Sequence, residues 1–419
     1  MSNKTSTASF ITKNFGRYNP LSLDSYLSIG GYQALKKALT MDGEDIATLI
    51  ANVKVKGRGG AAYDMGKKWS QSRAVKKPKK VVICNADEGE PCTFKDRELI
   101  RNDPFNIIEG MTICGYVVNA QDGYIYLREE YRHLRRHLQN AIDEAVKKNL
   151  LGDNILGTDF SFHLHLYSGA GAYVCGEGTA LIRSIEGKGG RPRMKPPFMK
   201  VSGLFALPTT VNNVESFAIV PHLLLDDQGY YGSFGSGESI GTKLVSVAGN
   251  VNNPGVFEIP FGTTVRDIIF GLAGGVKDGR RIRLIQFGGA SGKISDERIL
   301  DTPYTYDDLK AAGVTVGSGA ILVVDERTTV LEFLCQTQDF FVHESCGQCT
   351  PCGEGNLHIQ LLLNKLADGT ITSHELSRMK KLAAIMSTAS LCGLGESAQN
   401  ALLSAMKVFP EVFMPGGVR

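Results

Sequence analysis

The chain has 419 residues, too many for a single hydrophobic core, so two to four domains are expected. Lys and Arg number 46 against 43 Asp and Glu, and a formal net charge of +3 gives no field strong enough to argue for nucleic acid or an anionic membrane as partner. The polar residues 1–9 lack the apolar core of a signal peptide and the longest apolar runs, such as residues 217–225, are short and interrupted; a soluble cytoplasmic protein without a membrane span is expected, with its nine cysteines serving as metal ligands and buried thiols rather than disulfides.

Residues 1–50 read as a helical lead-in, with Leu23, Tyr26, Leu27, Tyr32, Leu35 and Leu39 at roughly helical spacing. Next comes Lys56-Gly57-Arg58-Gly59-Gly60, whose glycines free backbone N–H groups to face an anion, while Arg58, Lys67 and Lys68 supply charge ahead of a helix. No convincing strand precedes it, so the usual dinucleotide-binding βαβ turn is not met, and taken alone it is only a Gly-rich turn. Lys80-Val-Val-Ile-Cys84 reads as a buried strand running into a loop that carries Asn85, Asp87, Glu88, Glu90 and Asp96. Ligands of open α/β sheets bind at such strand ends, and acidic and amide groups suit ribityl or ribose hydroxyls and ring N–H groups. Residues 123–128 give another strand, followed by a helix with Leu134, Leu138, Ile142 and Ala145 on one face. Phe160, Phe162, Leu164 and Leu166 then alternate with Ser161, His163, His165 and Tyr167, the pattern of a half-buried strand with both histidines outward. A second Gly-rich turn at 168–178 opens a helix, and the basic, proline-stiffened segment 189–198 follows. Two Gly-rich turns beside an acidic loop make a pocket for a phosphorylated cofactor, with the basic segment placed to flank a second nucleotide.

After residue 240 the texture changes. Short strands at 244–248, 256–259, 282–287 and 320–324 around a helix at 264–273 suggest a small mixed domain without evident chemistry. From Thr328 the pattern is helical, and it contains Cys346-Gly-Gln-Cys349-Thr-Pro-Cys352 and, farther on, Cys392 in Leu391-Cys-Gly-Leu-Gly395. Three cysteines at two-residue spacing can turn toward one point, and a fourth can arrive from elsewhere in the chain; the reading is a [4Fe–4S] cluster on Cys346, Cys349, Cys352 and Cys392. Zinc is the rival, although a structural zinc usually takes two C-x-x-C pairs. Cys84, Cys114, Cys175 and Cys335 stand in apolar or Gly-rich surroundings and read as core.

Taken together, Gly57-Arg-Gly-Gly60, Lys68-Trp69, Cys84-Asn-Ala-Asp-Glu-Gly-Glu-Pro91, Gly169-Ala-Gly-Ala-Tyr-Val-Cys-Gly-Glu177, Lys195-Pro-Pro-Phe198, Val211-Asn-Asn-Val-Glu215 and Glu344-Ser-Cys-Gly-Gln-Cys-Thr-Pro-Cys352 with Cys392 resemble the flavin-bearing, NADH-oxidising subunit of respiratory complex I, a family shared with NAD-linked and electron-bifurcating hydrogenases. The resemblance spans about residues 25–415. It implies a multidomain α/β protein: the lead-in at 1–50, a Rossmann-like FMN- and NAD-binding domain at 51–240, a ubiquitin-like β-grasp domain at 241–328, and a four-helix bundle carrying the cluster at 329–419. Carried over by position, Gly57, Arg58, Gly59, Lys68, Asn85, Asp87, Gly176, Glu177, Asn212 and Asn213 would hold FMN. Tyr63 would stack in the nicotinamide-nucleotide site, lined also by Glu90, Tyr173, Lys195 and Phe198. The implied activity is that of an NADH dehydrogenase-type (diaphorase) subunit, with hydride exchange between NAD(H) and FMN and single electrons passed to the cluster. Implied partners are a thioredoxin-like [2Fe–2S] subunit and further iron–sulfur or catalytic subunits. The sequence departs from the family pattern at Gly178, where a carboxylate is usual, which opens the coenzyme choice to NADP; at Asp64 and Cys92 on the pocket rim; and at Gly353, where an arginine is usual. These departures resemble a soluble bifurcating enzyme more than a respiratory one, with a degenerate cluster-bearing scaffold that no longer binds nicotinamide as the alternative.

Overall fold

The computed structural model describes residues 9–414. The lead-in consists of three short helices, Leu23–Ser28, Gln33–Ala38 and Gly43–Asn52; its residues 1–8 lie outside the described residues. The third helix runs past the expected limit at 50 because Asp42 accepts a hydrogen bond from the Glu44 N–H at its start and Ile46, Ala47 and Ile50 form a continuous buried face.

Four parallel strands, β1 (Val81–Ala86), β2 (Asp122–Leu127), β3 (His163–Ser168) and β4 (Thr209–Asn213), form the first sheet in the order β3-β2-β1-β4. From β1 the chain moves to β2 and β3 on one side and returns to β4 on the other, so a crevice opens between β1 and β4 at their carboxyl ends. β1 is an unbroken apolar run at its start because both of its faces are covered. Helices Pro104–Val118 and Val214–Leu224 are buried along almost their whole length and cross closely; a Cβ on Gly110 would come within 2.2 Å of the Phe217 carbonyl oxygen. On β3 the alternation is as expected: Leu164 is buried, whereas His163 and His165 face outward to Asp153 and Asp122.

A small hairpin, β5 (Gly235–Ser236) and β6 (Ser239–Ile240), precedes a five-stranded sheet of β7 (Thr242–Gly249), β8 (Gly255–Pro260), β9 (Ile282–Phe287), β10 (Lys293–Ser295) and β11 (Ala320–Asp325). Its order is β10-β9-β11-β7-β8, with β11 and β7 parallel and the other pairs antiparallel. The helix expected at 264–273 is a single wide turn, Asp267–Leu272, that buries Ile268 and Ile269 against Val245, Val247, Ile285 and Phe287. The C-terminal region holds helices Val330–Glu344, Thr350–Ala367, Ser373–Ala389 and Asn400–Val408 with the short Gly393–Ser397. Thr329 with Glu332 and Thr372 with Glu375 form capping boxes that set the starts of two of them. Among the described residues no helix is long and apolar enough to cross a membrane. The described residues form a mixed α/β protein with three hydrophobic cores.

Candidate functional site

A cavity of about 280 Å³, at the lower end of the range of small-molecule pockets, lies at the carboxyl ends of β1 and β4. Of the residues singled out from the sequence it brings together Arg58, Gly59, Asn85, Asp87, Glu90, Tyr173, Gly176, Glu177 and Asn213. The loop after β1 is braced from within: Asn85 donates to the Gly176 carbonyl at 2.9 Å and accepts from the Asp87 N–H at 3.0 Å. Asn213 is held likewise, accepting from Lys95 Nζ at 3.1 Å and donating to Asp96 at 2.6 Å. Both Gly-rich turns lead into helices as expected, but neither helix start is left open for an anion. Asp64 accepts from the Lys67 N–H, and Glu177 Oε2 accepts from the Thr179 and Ala180 N–H groups, so each start already carries a carboxylate. An anion would have to be met by the loop backbone instead.

Several side chains across the described residues are buried with unpaired polar atoms; of these, Asp87 Oδ2 and Arg58 Nε belong to residues that line the cavity, and both side-chain heteroatoms of Asn212 lie on β4 outside its lining. Burial lifts the Asp87 carboxyl to about 7 against the pull of Arg128. An unpaired carboxylate oxygen in the cavity wall, that of Asp87, fits a polar ligand with its own donors. Glu90 is the opposite case. Its carboxylate accepts from Tyr173 Oη at 2.6 Å, Ser291 N at 2.8 Å and Ser291 Oγ at 2.9 Å, although burial still pushes it upward. Glu177 Oε1 takes Lys195 at 2.8 Å; burial would raise this carboxyl, but Lys195 and the helix donors hold it below the ordinary range.

The remaining expected residues lie outside this lining. Gly57 donates its N–H to the Tyr63 carbonyl at 2.8 Å, and Lys68 turns to the Val211 carbonyl at 3.0 Å, its ammonium lowered by burial. Asn212 is paired in register with Cys84. Tyr63 and Phe198 are exposed rings, Tyr63 donating to Gln71. Arg58 borders the cavity, yet its guanidinium leaves it: the group is buried over the Phe261 ring and donates to Tyr231 at 2.7 Å and Tyr306 at 3.1 Å.

Cys346, Cys349, Cys352 and Cys392 border one small gap with Val174, Pro192, Ser345, Gln348, Leu391 and Leu394. The first two cysteines lie in the loop after Val330–Glu344, Cys352 in the first turn of Thr350–Ala367, and Cys392 immediately before Gly393–Ser397. A Cβ on Gly395 would sit 2.6 Å from Ser390 and 2.9 Å from Cys352 Cβ, so the close wall requires glycine there. All nine cysteines are free. Among the described residues no three His, Cys, Asp or Glu side chains close on one ion position. Four thiols around a shared gap are a donor set that suits an iron–sulfur cluster, with a tetrahedral zinc ion the rival for the same set.

Cavity and gap are neighbours, and Val174 and Leu394 border both. Glu344 accepts from the Tyr173 N–H at 3.0 Å and Gln348 donates to the Pro192 carbonyl at 2.9 Å, so the cysteine segment grips both the second Gly-rich turn and the basic segment. Several lining residues escaped sequence reasoning. Ser291 and Ser318 come from the five-stranded sheet's loops, which had been expected to carry no chemistry, and Gly393, Leu394 and Ser397 come from the helical region. Only the Gly393-Leu-Gly395 run gave a signal, and that signal pointed to the thiols.

Similarity to known proteins agrees with this geometry. The Nuo51 FMN-binding domain family matches residues 50–222, the NADH-ubiquinone oxidoreductase-F iron-sulfur binding region matches 332–415, and the SLBB domain matches 244–295. The chain is 40% identical over 398 residues to NADP-reducing hydrogenase subunit HndC of Solidesulfovibrio fructosivorans, covering 95% of this chain and 81% of that one. It is 40% identical over 394 residues to an NADH-quinone oxidoreductase subunit of Rhizobium meliloti (strain 1021), covering 94% and 93%. A crystal structure of an NAD+-reducing [NiFe]-hydrogenase in the H2-reduced state superposes with a TM-score of 0.83 at 32% identity, over 95% of this chain and 66% of that chain. The chain belongs to the family of FMN- and iron–sulfur-binding subunits of NADH-quinone oxidoreductases, to which subunits of NAD(P)-reducing hydrogenases are related.

Proposed function

We propose that this chain exchanges a hydride between NAD(H) and FMN and passes single electrons to or from a [4Fe–4S] cluster, as one subunit of a multi-subunit oxidoreductase. The observation that carries this reading is the shared wall: Val174 and Leu394 border both the polar cavity and the four-thiol gap. When bound, FMN supplies the conversion between two-electron hydride exchange and one-electron transfer. The chain's part is to bind, orient and insulate. In this reading Gly57, Arg58, Gly59, Lys68, Asn85, Asp87, Gly176, Glu177, Asn212 and Asn213 hold the flavin, supported by the unpaired atoms of Asp87 and Asn212. Arg58 contributes by fixing the loop, its N–H donating to Ser216 Oγ at 3.0 Å and its guanidinium to Tyr231 and Tyr306. Tyr63, Glu90, Tyr173, Lys195 and Phe198 receive the nicotinamide nucleotide, with the exposed rings of Tyr63 and Phe198 available for stacking. Tyr173 and Ser291 keep the Glu90 carboxylate aimed. Apolar Val174 and Leu394 keep water out of the wall between cavity and gap, and Cys346, Cys349, Cys352 and Cys392 ligate the cluster.

The same reading assigns 1–50 as lead-in, 51–240 as a Rossmann-like domain, 241–328 as a β-grasp domain and 329–419 as a four-helix bundle, supported by the sheet orders and by the matched families. NADP is a second candidate coenzyme, supported by Gly178 and by a relative named for NADP reduction. A thioredoxin-like [2Fe–2S] subunit and further iron–sulfur or catalytic subunits are the proposed partners in the cytoplasm, with relatives named as subunits in support.

The test is anaerobic purification and a visible spectrum. Flavin bands that bleach on adding NADH, with a reduced-cluster EPR signal following, are expected. Cluster absorption without NADH-dependent bleaching would point to the scaffold, and a colourless zinc-containing protein would overturn the reading.

A further inference from the structure

Three buried amides meet behind the thiol gap. Gln338 belongs to helix Val330–Glu344, Asn356 to Thr350–Ala367, and Gln399 immediately precedes Asn400–Val408; Asn356 and Gln399 are 0% exposed and Gln338 3%. Burying amides costs free energy unless each finds partners, and an apolar trio would pack these helices as well. Two of the orientations are set by backbone carbonyls, which can only accept. Asn356 Nδ2 donates to the Cys352 carbonyl at 2.9 Å, so its oxygen must face the other way, where it accepts from Gln338 Nε2 at 3.0 Å and Gln399 Nε2 at 3.0 Å. Gln338 Nε2 is fixed in turn by the Asn356 carbonyl at 2.9 Å, leaving Gln338 Oε1 to accept from Gln399 Nε2 at 3.1 Å. The arrangement leaves one result at the gap: Asn356 Nδ2 also points at Cys352 Sγ, 3.3 Å away. Ser345 Oγ stands at 3.3 Å from the same sulfur.

We propose that Asn356 is a positioning residue that holds a hydrogen bond on Cys352 Sγ, clamped there by Gln338 and Gln399, and that this bond raises the reduction potential of the cluster. The inference rests on Cys352 being a ligand. A metal-bound thiolate has no proton to give, so both neighbours act as donors to it. Reduction adds one electron and one negative charge to the cluster, and donors to a ligating sulfur stabilise that charge more in the reduced state than in the oxidised one. A purely structural role for the triad predicts lost helix packing and no change in potential.

The experiment is an EPR-monitored redox titration of the full chain with its cluster in place, comparing the parent, Asn356→Leu and Ser345→Ala. Asn356→Leu keeps the branching and heavy-atom count of the side chain and removes the donor. At the potential where the parent is half reduced, its reduced-to-oxidised ratio is expected to fall by about three- to tenfold, tenfold corresponding to about 59 mV for a one-electron couple. Ser345→Ala leaves all three amides intact and shows what the other donor to Cys352 Sγ contributes, while Asn356→Ala, which also removes the amide donor, decides the matter if Asn356→Leu does not fold. An intact cluster signal at the parent potential in the folded Asn356 variant overturns the proposal, whatever Ser345→Ala does. A Cys352→Ser control separates the two failures: a signal unchanged in that variant means that Cys352 is not a ligand, and the ligand assignment rather than the tuning is at fault.

Discussion

Asp87 joins stability and binding at one carboxyl. Its Oδ2 is buried without a hydrogen-bond partner in the protein, and burial lifts the group to about 7 from an ordinary value of 3.8. Because the folded value is raised, the group's contribution to stability is complete below about pH 3.8 and is lost as pH rises through about 7. Asp87→Asn removes the buried charge. The flavin-free variant is expected to be more stable than the parent at pH 8, by on the order of 1–3 kcal/mol, with a shallower pH slope between about 4 and 7. Urea unfolding across that range measures it, and an unchanged slope would show that Asp87 is not the group responsible; the same variant is expected to retain less FMN. Gly178 is a second single-residue question. A Cβ there would meet Met199 Cε and Sδ at 2.8 Å, the free end of a flexible side chain, so a larger residue fits once Met199 turns aside. A carboxylate at this point would accept from ribose hydroxyls and repel a 2′-phosphate. Gly178→Glu is expected to widen the preference for NADH over NADPH by roughly tenfold or more, measured as the ratio of kcat/KM values with an artificial acceptor. An unchanged ratio would mean that coenzyme choice is set elsewhere.

The elements around the gap are arranged so that no single one carries it. Val330–Glu344 ends just before the first cysteine, Thr350–Ala367 begins around the third, and Gly393–Ser397 starts on the fourth. Cys392→Ala is expected to abolish the reduced-cluster EPR signal while leaving FMN bound, because Asn85, Asp96 and Asn213 brace the far side of the proposed flavin cavity among themselves, although Gly393 and Leu394 next to Cys392 form part of its wall. Retention of the signal would show that a different group completes the ligand set. This is the part most legible in the sequence. A C-x-x-C-x-x-C triplet narrows the chemistry to thiolate ligation of a metal centre by its spacing, and the strand at 320–324 shows itself by an unbroken apolar run. The helix starts were less legible. Gly-rich turns suggested open N-termini for a phosphate, whereas Asp64 and Glu177 cap them, since an acidic residue just ahead of a helix serves its backbone as readily as a lysine serves an anion.

At the scale of the molecule, the cavity is a meeting of three regions, which is why sequence reasoning recovered only the first of them. Ser291, Ser318 and Leu394 lie far along the chain from Asp87, and nothing local marks a serine in a loop as a cavity wall. The five-stranded sheet is bound to the first by a buried ionic cluster. Lys243 at the start of β7 donates to Glu215 Oε2 at 2.7 Å, Lys95 lies 3.0 Å from the same oxygen, and the Leu244 N–H donates to Glu215 Oε1 at 3.0 Å. Burial would raise the Glu215 carboxyl, but the two ammonium groups and Arg58 outweigh it and hold it at about 2. With its folded value depressed, Glu215 contributes stability that is present above about pH 4.5 and lost as pH falls through about 2. Glu215→Gln leaves the buried Lys243 ammonium, which burial already pushes down to about 7, without its carboxylate and Lys95 with Asp96 alone at 2.7 Å, whereas replacing Glu215 and Lys243 together by Leu and Met removes one charge of each sign and keeps the Lys95–Asp96 pair. The single variant is expected to lose about 3–5 kcal/mol at pH 7 and the double variant substantially less. Denaturant unfolding of the single and double variants tests this, and a single variant within about 1 kcal/mol of the parent would show that the cluster does not hold the two sheets together.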